Sequence, residues 1–174
     1  LAGQENSLYV EFRLRSKPLV GHLVTSAWEA MLTMQQYGFP TRLLDWSKSL
    51  AVATYFAVRD IDCDKDGAVW IMASRRLMEL RGQNNAWRTV IGDPSVETLA
   101  MKDSPNEIEN PDDQVPAPIA PDQFASRMIV QQGIYTLHSY RRFALERLAA
   151  ADRLEFGDAA FLHKITIPAC AKEG

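Results

Sequence analysis

Between Gln35 and Ser47 the chain reads QQYGFPTRLLDWS, a glycine and a proline set between two apolar segments. Gly38 ends a helix and Pro40 forbids its continuation, so the flanking segments are separate elements joined at a sharp corner. Upstream, Leu23, Val24, Ala27, Trp28, Met31 and Leu32 recur with the spacing of an amphipathic helix over 22–35, one face buried. Downstream, Ser47 offers an N-cap, and the run from Leu50 through Val58 to about Arg59 is apolar on nearly all sides. That pattern predicts a second helix at the centre of the molecule.

The rest of the chain alternates between strand and turn signals. DCDKDG, Asp62 to Gly67, reads as a turn; an EF-hand loop is the competing reading, but its later glutamate is absent. AVWIMA follows as a buried strand, and 75–88 is helical or irregular with four solvated arginines. From Gly92 to Gln123 lie six of the nine prolines and eight acids against one lysine, the composition of a surface loop or disordered insertion. Order resumes near Phe124. MIV and IYTLH read as short strands broken at QQG, where Gly133 permits a bulge or turn. Ser139 can cap a helix through Leu148 to about Ala151, and FLHKITIP is a last strand ended by Pro168. The expected fold class is α+β, mixed small sheets with packed helices, in one domain spanning 1–174.

At 174 residues and 47% hydrophobic content the chain can fill one core and hardly two. No run is long and apolar enough for a bilayer, and LAGQENSLY carries no secretory pattern, so a cytoplasmic protein without a membrane partner is expected. Cys63 and Cys170 then read as free thiols. Of 19 bases and 22 acids, the acidic segment takes one and eight, leaving 18 and 14 in a mildly basic body. That balance suits a ligand with phosphates but does not by itself specify nucleic acid.

Gly-rich phosphate loops, HExxH and GxSxG are all absent, and His22, His138 and His163 have no cysteine or carboxylate at metal-ligand spacing. No metal site is expected, and the histidines read as structural. The corner at 35–47 holds the remaining chemistry. Arg42 can take a phosphate or carboxylate in bidentate fashion, Tyr37 and Trp46 offer flat faces to a ring, and the next helix start presents free N–H groups to negative charge. These are the parts of a nucleotide pocket. The competing reading is an Arg42–Asp45 clamp on buried backbone with Trp46 in the core, the commoner use of such a pair.

QQYGFPTRLLDWS followed by SLAVATYFAV resembles the signature of the FRG domain family, Q-H-x-G-[LF]-P-T-R-L-L-D-W-[ST] leading into an apolar helix that ends in a Phe-Ala pair, here Phe56-Ala57. DGAVWIM resembles the family's next strand, RMIVQQGIYTLHS its Q-x-G-x-[FY]-T-x-H block and FLHKITIP its Lys-Ile-x-Ile-Pro strand, so the likeness runs from about Phe12 to Pro168. Two features depart. Gln36 stands where the family has His, and a Phe-Arg-Gly strand is not found near the N-terminus; either it precedes Leu1 or this chain lacks it. Arg81-Gly82-Gln83 has similar letters but follows the AVWIM strand.

The resemblance implies a divergent ADP-ribosyltransferase-like fold that uses NAD as substrate and no metal. It implies a macromolecular acceptor, protein or nucleic acid (RNA or DNA), and a toxin or phage-defence role with a neutralising antitoxin partner. In such a fold Thr41 to Ser47 flank the nicotinamide, and Gln131 or Gln132 stands where a later strand usually carries Glu. Cleavage of the nicotinamide–ribose bond passes through an oxocarbenium-like state, which a carboxylate stabilises better than an amide. The expected catalytic residues are therefore Asp45, for electrostatic stabilisation, and Gln132, to orient ribose or nucleophile. Tyr37, Thr41, Arg42, Trp46, Ser47 and Gln131 are the expected NAD contacts. A strand bulge with solvated amides is the alternative for QQG. A non-catalytic nucleotide-sensing or interaction module is the alternative for the whole, and simple NAD hydrolysis is a third possibility.

Overall fold

The corner after the first long core helix is built as a Schellman turn. Phe39 N donates to Met34 O at 3.0 Å and Gly38 N to Gln35 O at 3.1 Å, with Gly38 at φ 77°. That φ is one that a side chain would disfavour, and Phe39 packs back on Met34 as the motif requires. A computed structural model of the chain describes residues 2–21, 24, 26–60, 64–82, 88–89, 115–120, 132–138, 144–157 and 160–172, and the fold is that of these residues. The MIV segment, Cys63, Gln131 and Ser139 lie outside them, as does most of 92–123.

Helices α1 (Ala2–Arg15), α2 (Lys17–Val20) and α3 (Ala27–Gln36) come first. The helix expected over 22–35 starts later, because Ser26 caps it by accepting Glu29 N at 3.0 Å. Strand β1 (Leu43–Ser47), helix α4 (Leu50–Val58), strand β2 (Gly67–Met72) and helix α5 (Ser74–Leu80) follow. Next come β3 (Arg88–Thr89), β4 (Ala117–Ala120), β5 (Gly133–Leu137), α6 (Leu145–Phe156), β6 (Leu162–Ile167) and a 3-10 turn at Ala169–Ala171. One sheet has the order β1-β5-β4-β3, antiparallel except for β3 with β4; the other is the antiparallel pair β2-β6. The fold class is thus α+β with two small sheets, as expected. Among the described residues, no helix is long and apolar enough to cross a membrane.

Two cores flank β1. Leu43 joins Trp28, Leu32, Ile119, Tyr135 and Leu137 beneath α3, while Trp46 packs on Leu77, Leu145, Phe161 and Leu162 beneath α5 and α6. Period-2 alternation sends neighbouring side chains of one strand to opposite sides, so β1 is the partition between the cores.

Several expectations need correction. LLDWS, taken into the corner at 35–47, is a strand, and the cap of α4 is Ser49, which accepts Val52 N at 3.4 Å; Ser47 instead accepts Ser49 N at 3.0 Å. Helix α4 is not central. None of its residues is buried, and Leu50 and Tyr55 are 66% and 62% exposed. Uniform apolarity misled because part of the helix faces a cavity rather than packed side chains. Within 92–123, APIA forms β4, buried between β5 and β3. Its prolines disguised it: the β3 ladder reaches only Ile119 and Ala120, which leaves Pro118 at its end. The left-handed residue before β5 is Gln132 (φ 47°), not Gly133. Nor are all the arginines of 75–88 solvated. Arg81 is buried and donates to Val115 O, and Arg76 is paired with Glu79 and Asp152. Cys170 is a free, exposed thiol.

Gly67 is where β2 meets α4. A Cβ there would collide with the Ala57 carbonyl oxygen, a backbone atom that cannot swing aside. Gly67→Ala is therefore expected to cost about 1–3 kcal/mol through forced separation of the two elements. Urea unfolding measures it, and an unchanged midpoint would show that α4 yields freely.

Candidate functional site

The Schellman turn aims the chain from α3 into β1, and a cavity of about 800 Å³ opens around that strand. Its walls come from the end of α3, from β1, the inner side of α4 (Val52, Ala53, Phe56), β2 (Ala68 to Trp70), β5 (Gly133 and Tyr135) and the first turn of α6. The volume falls within the range of small-molecule and cofactor sites. Phe56 and Trp70 line it while remaining substantially exposed, and each carries a cation over its ring at 5.4 Å: Arg59 on Phe56 and Lys164 on Trp70.

Of the expected site residues, Thr41, Arg42, Asp45, Trp46 and Ser47 all line this cavity. Arg42 lines the cavity and is only 5% exposed. Tyr37 caps the end of α3 in solvent and is not in the lining. Gln132 is exposed in the turn ahead of β5, where its carbonyl accepts Lys48 N at 3.2 Å; it too is outside the lining. Gln131 is not among the described residues.

The Arg42–Asp45 clamp does not form, because alternation along β1 separates the two: Asp45 shares a side with Leu43, and Arg42 runs with Leu44 and Trp46. Asp45 is held by an amide. Leu43 N donates to Thr41 Oγ1 at 3.2 Å, Thr41 Oγ1 donates to Gln35 Oε1, and Gln35 Nε2 donates to Asp45 Oδ1 at 3.0 Å. Because Thr41 already receives a backbone N–H, its own proton goes to Gln35, and the amide nitrogen is left to face the carboxylate. The relay ties the last turn of α3 to β1 and fixes the Asp45 rotamer. Gln35→Leu is expected to cost about 0.5–1.5 kcal/mol of stability and to loosen the carboxylate. A urea midpoint together with side-chain relaxation at Asp45 reads both, and an Asp45 as ordered in the variant as in the wild type would count against the relay.

Sequence reasoning missed four contributors. Gln35 was visible only as one of two adjacent amides, and its pairing with Asp45 needs the Schellman geometry. Gln36 also lines the cavity, and its Nε2 is buried with no hydrogen-bond partner among the described residues. His138 was read as structural, yet it lines the cavity one residue past β5; the β1–β5 register brings it to Arg42, whose carbonyl accepts His138 N at 2.9 Å. The available signal was the T-x-H ending of IYTLH. A second carboxylate, Glu146, enters from the first turn of α6, which has no side-chain cap. Among the described residues, no three His, Cys, Asp or Glu side chains converge as metal ligands would.

Residues 2–66 match the family model of the FRG domain. The match covers α1 through α4 and ends at the start of β2, so it contains the Thr41–Ser47 wall of the cavity; the later blocks that resemble the family lie beyond it. No curated protein and no solved structure gives a significant match to the chain.

Proposed function

We propose that this FRG-like chain is an NAD-dependent ADP-ribosyltransferase that modifies a macromolecule, protein or nucleic acid, in a toxin or phage-defence setting with a neutralising partner. The observation that carries the reading is that Arg42, Asp45 and Trp46, although Asp45 lies on the other face of β1, all line one cavity of about 800 Å³ and all fall in the segment that matches the FRG model. Arg42 supplies the charge for a pyrophosphate, and the uncapped first turn of α6 adds backbone N–H groups on the far side. Trp46 and Phe56 offer ring faces to nicotinamide or adenine. Asp45, on β1, is the carboxylate for the oxocarbenium-like state; the role does not extend to Gln132, which stands outside the lining.

Incubation of the purified chain with labelled NAD and cell extract tests the proposal. Label on protein or nucleic acid supports transfer, and free ADP-ribose without an acceptor points to hydrolysis. Neither product, with NAD bound, leaves a nucleotide-sensing module. That second reading has its own support in the exposed apolar face of α4 beside the cavity, a surface suited to a partner.

A further inference from the structure

The hydroxyl of Thr136 has no exposure to solvent, and its proton must therefore find an acceptor within the protein. Trp46 Nε1 donates to Thr136 Oγ1 at 3.1 Å, and His138 Nε2 lies 3.1 Å from the same oxygen. An indole N–H only donates, so Trp46 occupies a lone pair and cannot take the proton. Among the described residues the remaining partner is the imidazole. If His138 Nε2 carried hydrogen, Thr136 would accept twice and its own O–H would be buried without a partner, an expensive arrangement in so dry a place. With the O–H pointing at Nε2, the indole N–H, the hydroxyl and Nε2 are all satisfied and the ring proton sits on Nδ1.

We propose that Trp46 and Thr136 form a two-bond relay that fixes His138, in the cavity wall, as the neutral Nδ1–H tautomer. Thr136 is then a positioning residue. His138 meets the ligand as a ring with a committed Nε2 lone pair, so it is not the base of any reaction there, and the electrostatic duty stays with Asp45. The ligand side of this inference rests on the NAD reading: what the oriented ring faces is a nucleotide with oxygen acceptors.

Long-range ¹H–¹⁵N correlation spectra of the ¹⁵N-histidine-labelled chain at neutral pH read the tautomer directly, with His138→Gln used to assign the signal. The expected spectrum has His138 Nδ1 pyrrole-like and Nε2 pyridine-like. Thr136→Val shifts the ring toward Nε2–H, the form that free imidazole favours in water, and Thr136→Ser restores the wild-type pattern. A wild-type His138 found as Nε2–H or doubly protonated overturns the inference without recourse to any variant. Calorimetric titration with NAD supplies the second readout. Thr136→Val is expected to weaken binding about tenfold, the scale of one misoriented hydrogen bond, with rescue by Ser. Failure of the wild type to bind NAD removes the dinucleotide reading and leaves the tautomer result standing, whereas tight NAD binding with an Nε2–H ring removes the relay alone.

Discussion

Replacing Asp152 with alanine is expected to lower the unfolding free energy by about 3–5 kcal/mol, the scale of breaking a buried ion pair. Asp152 lies on α6 with its carboxylate almost wholly out of solvent. Its Oδ1 accepts Arg76 Nε at 3.2 Å and Nη2 at 3.1 Å, and its Oδ2 accepts the backbone N–H of Phe161 at 2.8 Å. Three donors from α5 and the entry to β6 thus converge on one carboxylate. Alanine leaves the Phe161 N–H buried without its acceptor and removes a carboxylate that neutralises Arg76; Glu79, at 3.1 Å, remains. Glu79 and then Asp152 hold the Arg76 guanidinium further above its ordinary pKa, so the arginine stays charged and cannot relieve the loss by neutralising.

The expected fall in melting temperature is about 10 °C for a chain of this size. Asp152→Asn should recover part of it, since one oxygen can still accept while the amide nitrogen opposes a donor. Calorimetry on both variants measures the effect, and a loss under about 1 kcal/mol would place the carboxylate among ordinary surface pairs. The same change should reach the cavity, because α6 carries Leu145 and Glu146 of its wall.

What could be read from the sequence, and what could not, follows from the range of each signal. Local chemistry was legible: Gly38 ends α3, AVWIM is β2, and FLHKITIP is β6 ended by Pro168. These need only a period or a breaker within a few residues. LLDWS was misread because its strand character comes from β5, some ninety residues away, and not from its own alternation. APIA was hidden by the composition around it, and α4 was placed at the centre because an apolar helix against a cavity has the same letters as one against a core. The site divides in the same way. Thr41 through Ser47 were found as a contiguous block, whereas the Gln35–Asp45 bond and the approach of His138 depend on a turn geometry and a strand register that spacing does not encode. The Arg42–Asp45 clamp failed for the plainest reason, that a three-residue step along a strand changes sides.

On the proposed function, Asp45→Asn is expected to reduce ADP-ribosyl transfer by about 10²–10³-fold, the scale lost when one preorganised electrostatic partner of a transition state is removed. The substitution is close to isosteric. Asparagine can keep its side-chain oxygen toward Gln35 Nε2, so the relay from Thr41 survives, and at an exposed position the stability change should stay within about 0.5 kcal/mol. What disappears is the negative charge alone. In the ground state of the proposed NAD complex the positive charge sits on the nicotinamide ring and not on the ribose that Asp45 is proposed to face; affinity should therefore change only a few-fold. As the glycosidic bond breaks, positive charge moves from the pyridinium onto the ribose, and a carboxylate on β1, desolvated by the ligand that fills the cavity, gains its full effect at that moment. The expected pattern is a collapse in turnover with KM nearly unchanged. Gln35→Leu should fall between the two, because it leaves the charge but frees its direction. Initial rates with labelled NAD across the three proteins decide the matter: equal rates for wild type and Asp45→Asn would assign the carboxylate to the fold and return the cavity to a binding role.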